Sequence, residues 1–284
     1  MSIVFNKTDT NKSNRGPNQF NHPWTRNEIK FVQNNMKKMT YKEMGSVINR
    51  TVTSIQSEVR YLPLKQKIKK YSINNNFFKK WSEQMAYVLG FVASDGNVCK
   101  SGNSHMLQLA SDDKDIMIKI KKVLISKAPI HLRGRLNGKI SYQLRHSDPI
   151  IYNDLLKLGI KPRKSLTISP QKIPAKYTRH YLRGFFDGDG SVYCSHKTRY
   201  KRLIMVLYTA SPKMASFLYR IIRKKCPIFK GKIQKILTPK KNRYYYSIVL
   251  SHNNALLMYS YMYSKATIFM ERKYNKFLEA INEN

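Results

Sequence analysis

Apolar positions divide the chain into a helical N-terminal stretch, a polar connector and a long region built twice. Between Trp24 and Pro63, three short runs carry apolar residues at helical spacing. Ile29 and Val32 begin the inward face of the first, Val47 and Ile48 end that of the second, and Ile55, Val59 and Leu62 form a stripe on the third. Each run follows a Thr with an acid or amide three residues on: Thr25 with Glu28, Thr40 with Glu43, and Thr53 with Gln56. This reciprocal pattern satisfies the free N–H groups at a helix start. Pro63 stops the third helix.

From Val88 onward one plan occurs twice. Val88-Leu89-Gly90-Phe91-Val92-Ala93-Ser94-Asp95-Gly96 returns 94 residues later as Leu182-Arg183-Gly184-Phe185-Phe186-Asp187-Gly188-Asp189-Gly190. Twelve residues past each Asp, alternation of strand type leads to Leu-x-x-Ala-Ser, at Leu107–Ser111 and Leu207–Ser211. A helix follows, Ile116–Leu124 or Met214–Ile222, and then a basic strand pair, Ile130–His146 or Ile228–His252. Each copy therefore reads helix, two strands, helix, two strands, helix, and a duplication explains it. The fold class is α+β: two repeats of this order preceded by a small three-helix domain. The expected boundaries are a disordered segment 1–22, a three-helix domain 23–65, a basic linker 66–81, and repeats 82–175 and 176–284.

Charge narrows the function. The chain has 53 Lys and Arg against 16 Asp and Glu, a net +37, spread from end to end over 284 residues. Such a chain repels itself unless an anion lies against it, and a long phosphate backbone is the commonest one. No apolar run reaches the roughly 18 residues that span a bilayer, so a membrane is not the expected partner. The first residues lack the apolar core of a signal peptide, and an intracellular location is expected. Cys99, Cys194 and Cys226 stand far apart without metal-ligand spacing and read as free thiols.

Chemistry is concentrated in the repeated segment. Gly90 with Ser94, and Gly184 with Gly188, put small residues four apart on one helix face, where another backbone can approach closely. The natural partner is the other copy. Paired motif helices bring Asp95 and Asp189 together at their C-terminal ends, with Gly96 and Gly190 expected in the left-handed conformation that ends a helix. Two converging carboxylates at the negative ends of helix dipoles need a cation. Lysine is one answer. A magnesium ion facing a phosphate is another, since Mg²⁺ takes only one or two protein carboxylates and keeps its waters.

The two nonapeptides resemble the LAGLIDADG motif of homing endonucleases, and the resemblance extends over residues 82–280. It implies a pseudo-twofold axis, central motif helices and saddle-shaped antiparallel sheets that clasp the DNA major groove. The activity it implies is double-strand cleavage at a long asymmetric site by a monomer, initiating intron mobility. Asp95 and Asp189 carry the catalytic and metal-binding positions for Mg²⁺, which Mn²⁺ can replace. Ala93 stands where the family has an acid, a position that caps or packs.

The family places a basic residue at the end of the fourth strand, which falls on Arg145 in the first copy and on Ser251 and His252 in the second. Arg145 is therefore the candidate for stabilising transition-state charge, ahead of Lys164. Lys164-Ser165, Ile173-Pro174 and Glu271-Arg272-Lys273-Tyr274 also match. Arg133 and Arg135, in the basic strand pair, are candidate DNA contacts. The N-terminal stretch resembles the Myb/SANT-type three-helix fold over residues 23–65, which implies base reading by Ser54, Gln56, Ser57 and Arg60 and phosphate contacts by Arg50 and Lys65. A rival reading keeps the scaffold without cleavage, as an intron RNA maturase or a DNA-binding regulator. Retention of both aspartates argues against it.

Overall fold

The computed structural model describes residues 23–36, 39–61, 71–102, 104–134, 138, 140–195, 202–238 and 242–282. They form two compact units, one ending at Lys70 and one beginning at Tyr71. The segment 1–22, expected to be disordered, lies outside the described residues, as do Leu62, Pro63, Lys65 and Arg135.

The first unit contains α1 (Arg26–Asn35), α2 (Tyr41–Ile48) and α3 (Val52–Tyr61). Both outer Thr-Glu pairs close capping boxes, Thr25 with Glu28 and Thr40 with Glu43. The third cap is Thr51 rather than Thr53: its Oγ1 accepts from Ser54 N at 3.1 Å, so α3 starts two residues earlier than the sequence pattern suggests. Val32, Met36, Met44, Ile48 and Ile55 make the core, with Trp24 and Val59 against it. Val47, expected inward, is 44% exposed, because the helix turns Met44 and Ile48 to the core instead.

Arg50 does not reach outward to phosphate. It is buried, donates through Nε to Glu28 Oε1 at 2.9 Å and through Nη2 to Pro23 O at 2.9 Å, and lies 4.6 Å from the Trp24 ring centre. A charge so enclosed ties the chain entry to the α2–α3 turn, which is a structural task. That turn needs Asn49 at φ 53° and a glycine at position 45, where a Cβ would stand 2.5 Å from Arg50 O.

The second unit repeats one pattern. The first copy runs α4 (Glu83–Ser94), β1 (Asn97–Ser101), β2 (Ser104–Ser111), α5 (Lys114–Val123), β3 (Ile130–Gly134), β4 (Ile140–Ser147) and α6 (Pro149–Lys157). The second runs α7 (Thr178–Asp189), β5 (Gly190–Ser195), β6 (Arg202–Thr209), α8 (Pro212–Lys225), β7 (Gln234–Thr238), β8 (Arg243–Ser251), α9 (His252–Tyr263) and a further α10 (Glu271–Asn282). The antiparallel sheets have matching orders, β1-β2-β4-β3 and β5-β6-β8-β7. Strands begin within two residues of each motif Asp, earlier than the alternation suggests, so the motif helix feeds directly into its sheet.

One face of each sheet packs on a shared core. Leu107, Leu109 and Leu144 of the first sheet and Met205, Leu207, Ile248 and Leu250 of the second bury there with α4 and α7. The other face of each sheet stays off this core. Residues 71–81, expected to be linker, belong to this unit. Phe78 is buried, Asn74 N donates to Leu124 O at 3.0 Å, and Trp81 stacks on Tyr177 at 6.0 Å. Among the described residues no helix is long and apolar enough to cross a membrane.

Candidate active site

The site is made by the contact of α4 and α7, and glycine decides how close that contact is. A Cβ on Gly90 would lie 2.0 Å from Tyr181 O, and one on Gly184 would lie 2.0 Å from Tyr87 O. These are the same contact seen from either copy. One turn on, a Cβ on Gly188 would stand 2.0 Å from Ser94 Oγ. No side chain fits at these positions, so the two backbones touch and the helix ends converge.

Gly96 and Gly190 serve differently from the expectation. Neither has a positive φ, and Gly190 is extended at φ −92° and ψ 165°. A Cβ would collide with the preceding helical turn, 2.6 Å from Val92 Cα at Gly96 and 2.1 Å from Phe186 Cδ2 at Gly190. Glycine is required here for a close approach rather than for handedness.

Asp95 and Asp189 line one cleft of about 600 Å³, together with Arg163, Lys164, Ser165, Tyr208 and Tyr245. Asp95 also lines a second cleft of about 410 Å³ that holds Arg272 and Lys273. Asp95 is exposed and Asp189 half-buried. Burial first, and then the charge of Asp95, push the Asp189 carboxyl up to about 7, against the pull of Lys164 and Lys273. The two carboxylates therefore feel each other in a partly desolvated place.

Two buried lysines answer the helix ends. Lys164 Nζ donates to Ser94 O at 3.1 Å and to Gly96 O at 2.7 Å. Lys273 Nζ donates to Phe186 O at 2.7 Å, Asp187 O at 2.8 Å and Gly190 O at 2.6 Å. Each ammonium thus meets the carbonyls that end one motif helix, where the dipole is negative. Burial lowers both lysines to about 8, while the site carboxylates hold them up: Asp189 and Asp95 at Lys164, Asp187 and Asp95 at Lys273.

Arg145, the basic residue favoured by the sequence, does not line either cleft. It is exposed on β4, and its Nη2 donates to Gln143 Oε1 at 2.6 Å. The register sets it opposite Gln108, which is itself opposite Asn97, two strands away from the residues that follow Asp95. Its place is on the open sheet face. Lys164 and Lys273, beside Arg163 and Arg272, are the buried basic groups of the two clefts, and neither lysine follows from the repeat, because Lys164 comes from the connecting segment and Lys273 from α10.

Asp187 is buried and fully engaged. It accepts from Tyr87 Oη at 2.7 Å, Tyr263 Oη at 3.0 Å and Met270 N at 2.9 Å. One turn earlier, Arg183 donates to Ile268 O at 2.9 Å and Met262 O at 2.5 Å. The pair fixes residues 262–270 on α7 and so positions α10, whose Arg272 and Glu271 also bind Asp113 and Lys119 of the first copy.

Of the remaining candidates, Arg133 is exposed on β3, Gln56 and Arg60 are exposed on α3, and Ser54 and Ser57 are half-buried. Gln56 and Arg60 lie four apart on one helix face. Among the described residues there is no cluster of three or more His, Cys, Asp and Glu.

The model of the LAGLIDADG-like domain family matches residues 176–282. The uncharacterized protein MJ0314 of Methanocaldococcus jannaschii is 27% identical over 123 residues, which cover 42% of this chain and 45% of the relative, so the match spans less than half of that protein. Similar solved structures include the homing endonuclease I-WcaI bound to its DNA recognition sequence, at 17% identity over 77% of this chain and 97% of that one, with a TM-score of 0.46. The I-LtrWI LAGLIDADG homing endonuclease bound to target DNA is 14% identical over 74% of this chain and 91% of that one, with a TM-score of 0.43. The family match therefore falls on the second copy, with its motif helix α7, Asp189 and the sheet that follows, and to that extent the copy is similar to a LAGLIDADG-like domain.

Proposed function

We propose that the chain is a site-specific double-strand DNA endonuclease, hydrolysing one phosphodiester on each strand where Asp95 and Asp189 converge. The observation that carries this reading is the pairing of those carboxylates at touching helix ends, each end held by a buried lysine. A chain that only bound nucleic acid would have no use for two carboxylates placed to repel each other beside a phosphate. This favours cleavage over the maturase or regulator reading, although binding to the chain's own intron RNA is compatible with the same surface.

A divalent cation suits the donor set. The groups are hard carboxylate oxygens without imidazole or thiolate among them, which fits Mg²⁺ or Mn²⁺ with most of its waters rather than zinc. Asp95 and Asp189 would hold it, and when bound it would supply an activated water and offset charge on the phosphate. The chain's own groups do the rest. Lys164 and Lys273 keep the helix-end carbonyls from adding negative charge to the site, and they set the rigid backbone from which both aspartates project. Ser94 and the glycines allow both aspartates to reach one place.

The sheets and the net charge of +37 provide the duplex contact. The first unit would add a second DNA contact through the α3 face with Gln56 and Arg60, in the manner of Myb/SANT domains, with Ser54 and Ser57 beside it. Arg133 and Arg145 would contact DNA from the first sheet. One chain carries both half-sites, so the active form is a monomer acting on an asymmetric target inside the cell.

Selection from a randomised duplex library tests the reading. Incubation in Mg²⁺ should enrich a single long site cut on both strands, and the cutting should stop on chelation while binding persists in Ca²⁺. A protein that selects a duplex yet leaves it intact in both Mg²⁺ and Mn²⁺ is not a nuclease, and the regulator reading then replaces this one. Preference for intron RNA over any duplex would favour the maturase.

A further inference from the structure

The two open sheet faces carry different chemistry. Pairing partners in an antiparallel ladder share a face, so the register assigns each residue to the core side or the open side. In the first sheet the open side is mainly polar, with Asn97, Gln108, His131, Arg133, Gln143 and Arg145 in the rows Asn97–Gln108–Arg145 and His131–Gln143, and with Cys99, Met106 and Ala110 as its apolar members. Arg145 and Gln143 are hydrogen-bonded at 2.6 Å, which holds donors and acceptors in fixed positions on the sheet.

In the second sheet the same side carries Tyr193, Ile204, Tyr208, Ile236, Tyr245 and Val249, with small or neutral polar residues such as Ser191, Gln234 and Ser247 between them. None of the six belongs to the core cluster or packs against it. Tyr193 is 47% exposed and Tyr208 36%, and Tyr208 and Tyr245 meet at 6.1 Å. Apolar side chains thus stand on the solvent side of a sheet whose core side is already filled with Leu203, Met205, Leu207, Ile248 and Leu250. Arg202 and Arg243, exposed on the same side, give this surface a positive margin.

An apolar patch with a cationic margin suits an anion with an apolar face. Every base pair presents polar atoms in the DNA major groove, but the C5-methyl of thymine is the apolar group there, so only a pair containing thymine offers Ile204 or Val249 an apolar contact to offset the lost water. We infer that the two sheets read their half-sites by different chemistry: the β5–β8 face recognises a thymine-rich half through its methyl groups, and the β1–β4 face recognises base-edge donors and acceptors. The inference rests on the nuclease reading for its DNA, and extends it by assigning a sequence class to one half and its specificity to Tyr193, Ile204, Tyr208 and Val249.

The test replaces thymine by deoxyuridine, which removes the methyl and leaves base pairing intact, in one half of the selected duplex at a time. Burial of one methyl is worth about fourfold in affinity. One half should therefore weaken by tenfold or more when all its thymines are replaced, and the other should change by less than twofold. Ile204→Thr and Val249→Thr, which keep branched side chains on central strands, should fold with an unchanged melting temperature, lose the discrimination in the sensitive half, and relax its thymine preference in a fresh selection.

Equal sensitivity of both halves, or of neither, overturns the inference while leaving the nuclease reading intact. Discrimination that survives both threonine variants assigns it to other residues and also overturns the inference. If no duplex is selected at all, both readings fall.

Discussion

In the first copy the motif helix ends among apolar neighbours, with Leu89 and Ala93 where the second copy buries Arg183 and Asp187. In the first copy Lys164 arrives from the segment between the repeats, and nothing charged inside α4 holds it there. In the second, Arg183 and Asp187 bind residues 262–270, that stretch delivers α10, and α10 delivers Lys273. Both copies reach the same end, an ammonium on the last carbonyls of a motif helix. One does so with a short tether and the other with a buried ionic network. Duplication copied the helix and the aspartate. The lysine was supplied separately each time.

This contrast can be broken most forcefully at Asp187. Asp187→Ala leaves Arg183 and Lys273 buried without their carboxylate, at a cost of about 3 kcal/mol or more, read as the denaturation midpoint of the larger unit. Adding Arg183→Leu, which rewrites the second copy in the manner of the first, should recover part of that loss. If the double variant is no better than the single one, the network is not a unit.

The next effect concerns what the copies share. Gly90→Ala and Gly184→Ala each force a methyl into a partner backbone, and each should cost about 3 kcal/mol, equally within error. A large difference between them would mean that the two contacts are not equivalent. Smaller effects separate the lysines. Lys273→Met strands three carbonyls and Lys164→Met two, so the former should lower stability more, with losses of about 1–3 kcal/mol in each case.

The smallest effect is in pH. His180, which occupies the position of Ala86 in the first copy, is buried, and burial followed by the charge of Arg183 lowers its pKa from 6.5 to about 4, against the pull of Glu83 and together with Arg179. The folded protein then binds fewer protons than the unfolded chain between those values. Stability at this group is intact above pH 6.5 and declines as pH falls towards 4. The melting temperature should drop by a few degrees over that range, and His180→Gln should flatten the slope.

Much of this architecture is legible in the residues because the repeat writes it twice. Gly90 and Gly184, at matching places, point to a helix contact, and Asp95 and Asp189 inherit their convergence from it. The alternation of Leu107–Ser111 and Leu207–Ser211 places the central strands. What is not legible is whatever departs from the repeat. Lys164 and Lys273 are not 94 residues apart, so the offset that finds the aspartates misses them, and Arg145 took their place by its position on the fourth strand. Arg50 reads as a phosphate contact because its partner, Glu28, is 22 residues away and also serves a helix cap. Gly96 and Gly190 suggest a left-handed turn, and only the backbone path reveals that the preceding helix leaves no room for a side chain. The polar and apolar open faces need the register, since strand alternation alone does not say which side meets the core.

The most direct test of the central claim is plasmid cleavage in Mg²⁺ by the wild type, Asp95→Asn and Asp189→Asn, each with binding to the same selected site measured alongside. The account predicts that the wild type linearises the plasmid, and that each variant binds it with affinity within a few-fold of wild type while cutting at least about a thousandfold more slowly. A variant that cuts at the wild-type rate would show that the converging aspartates are not the catalytic pair.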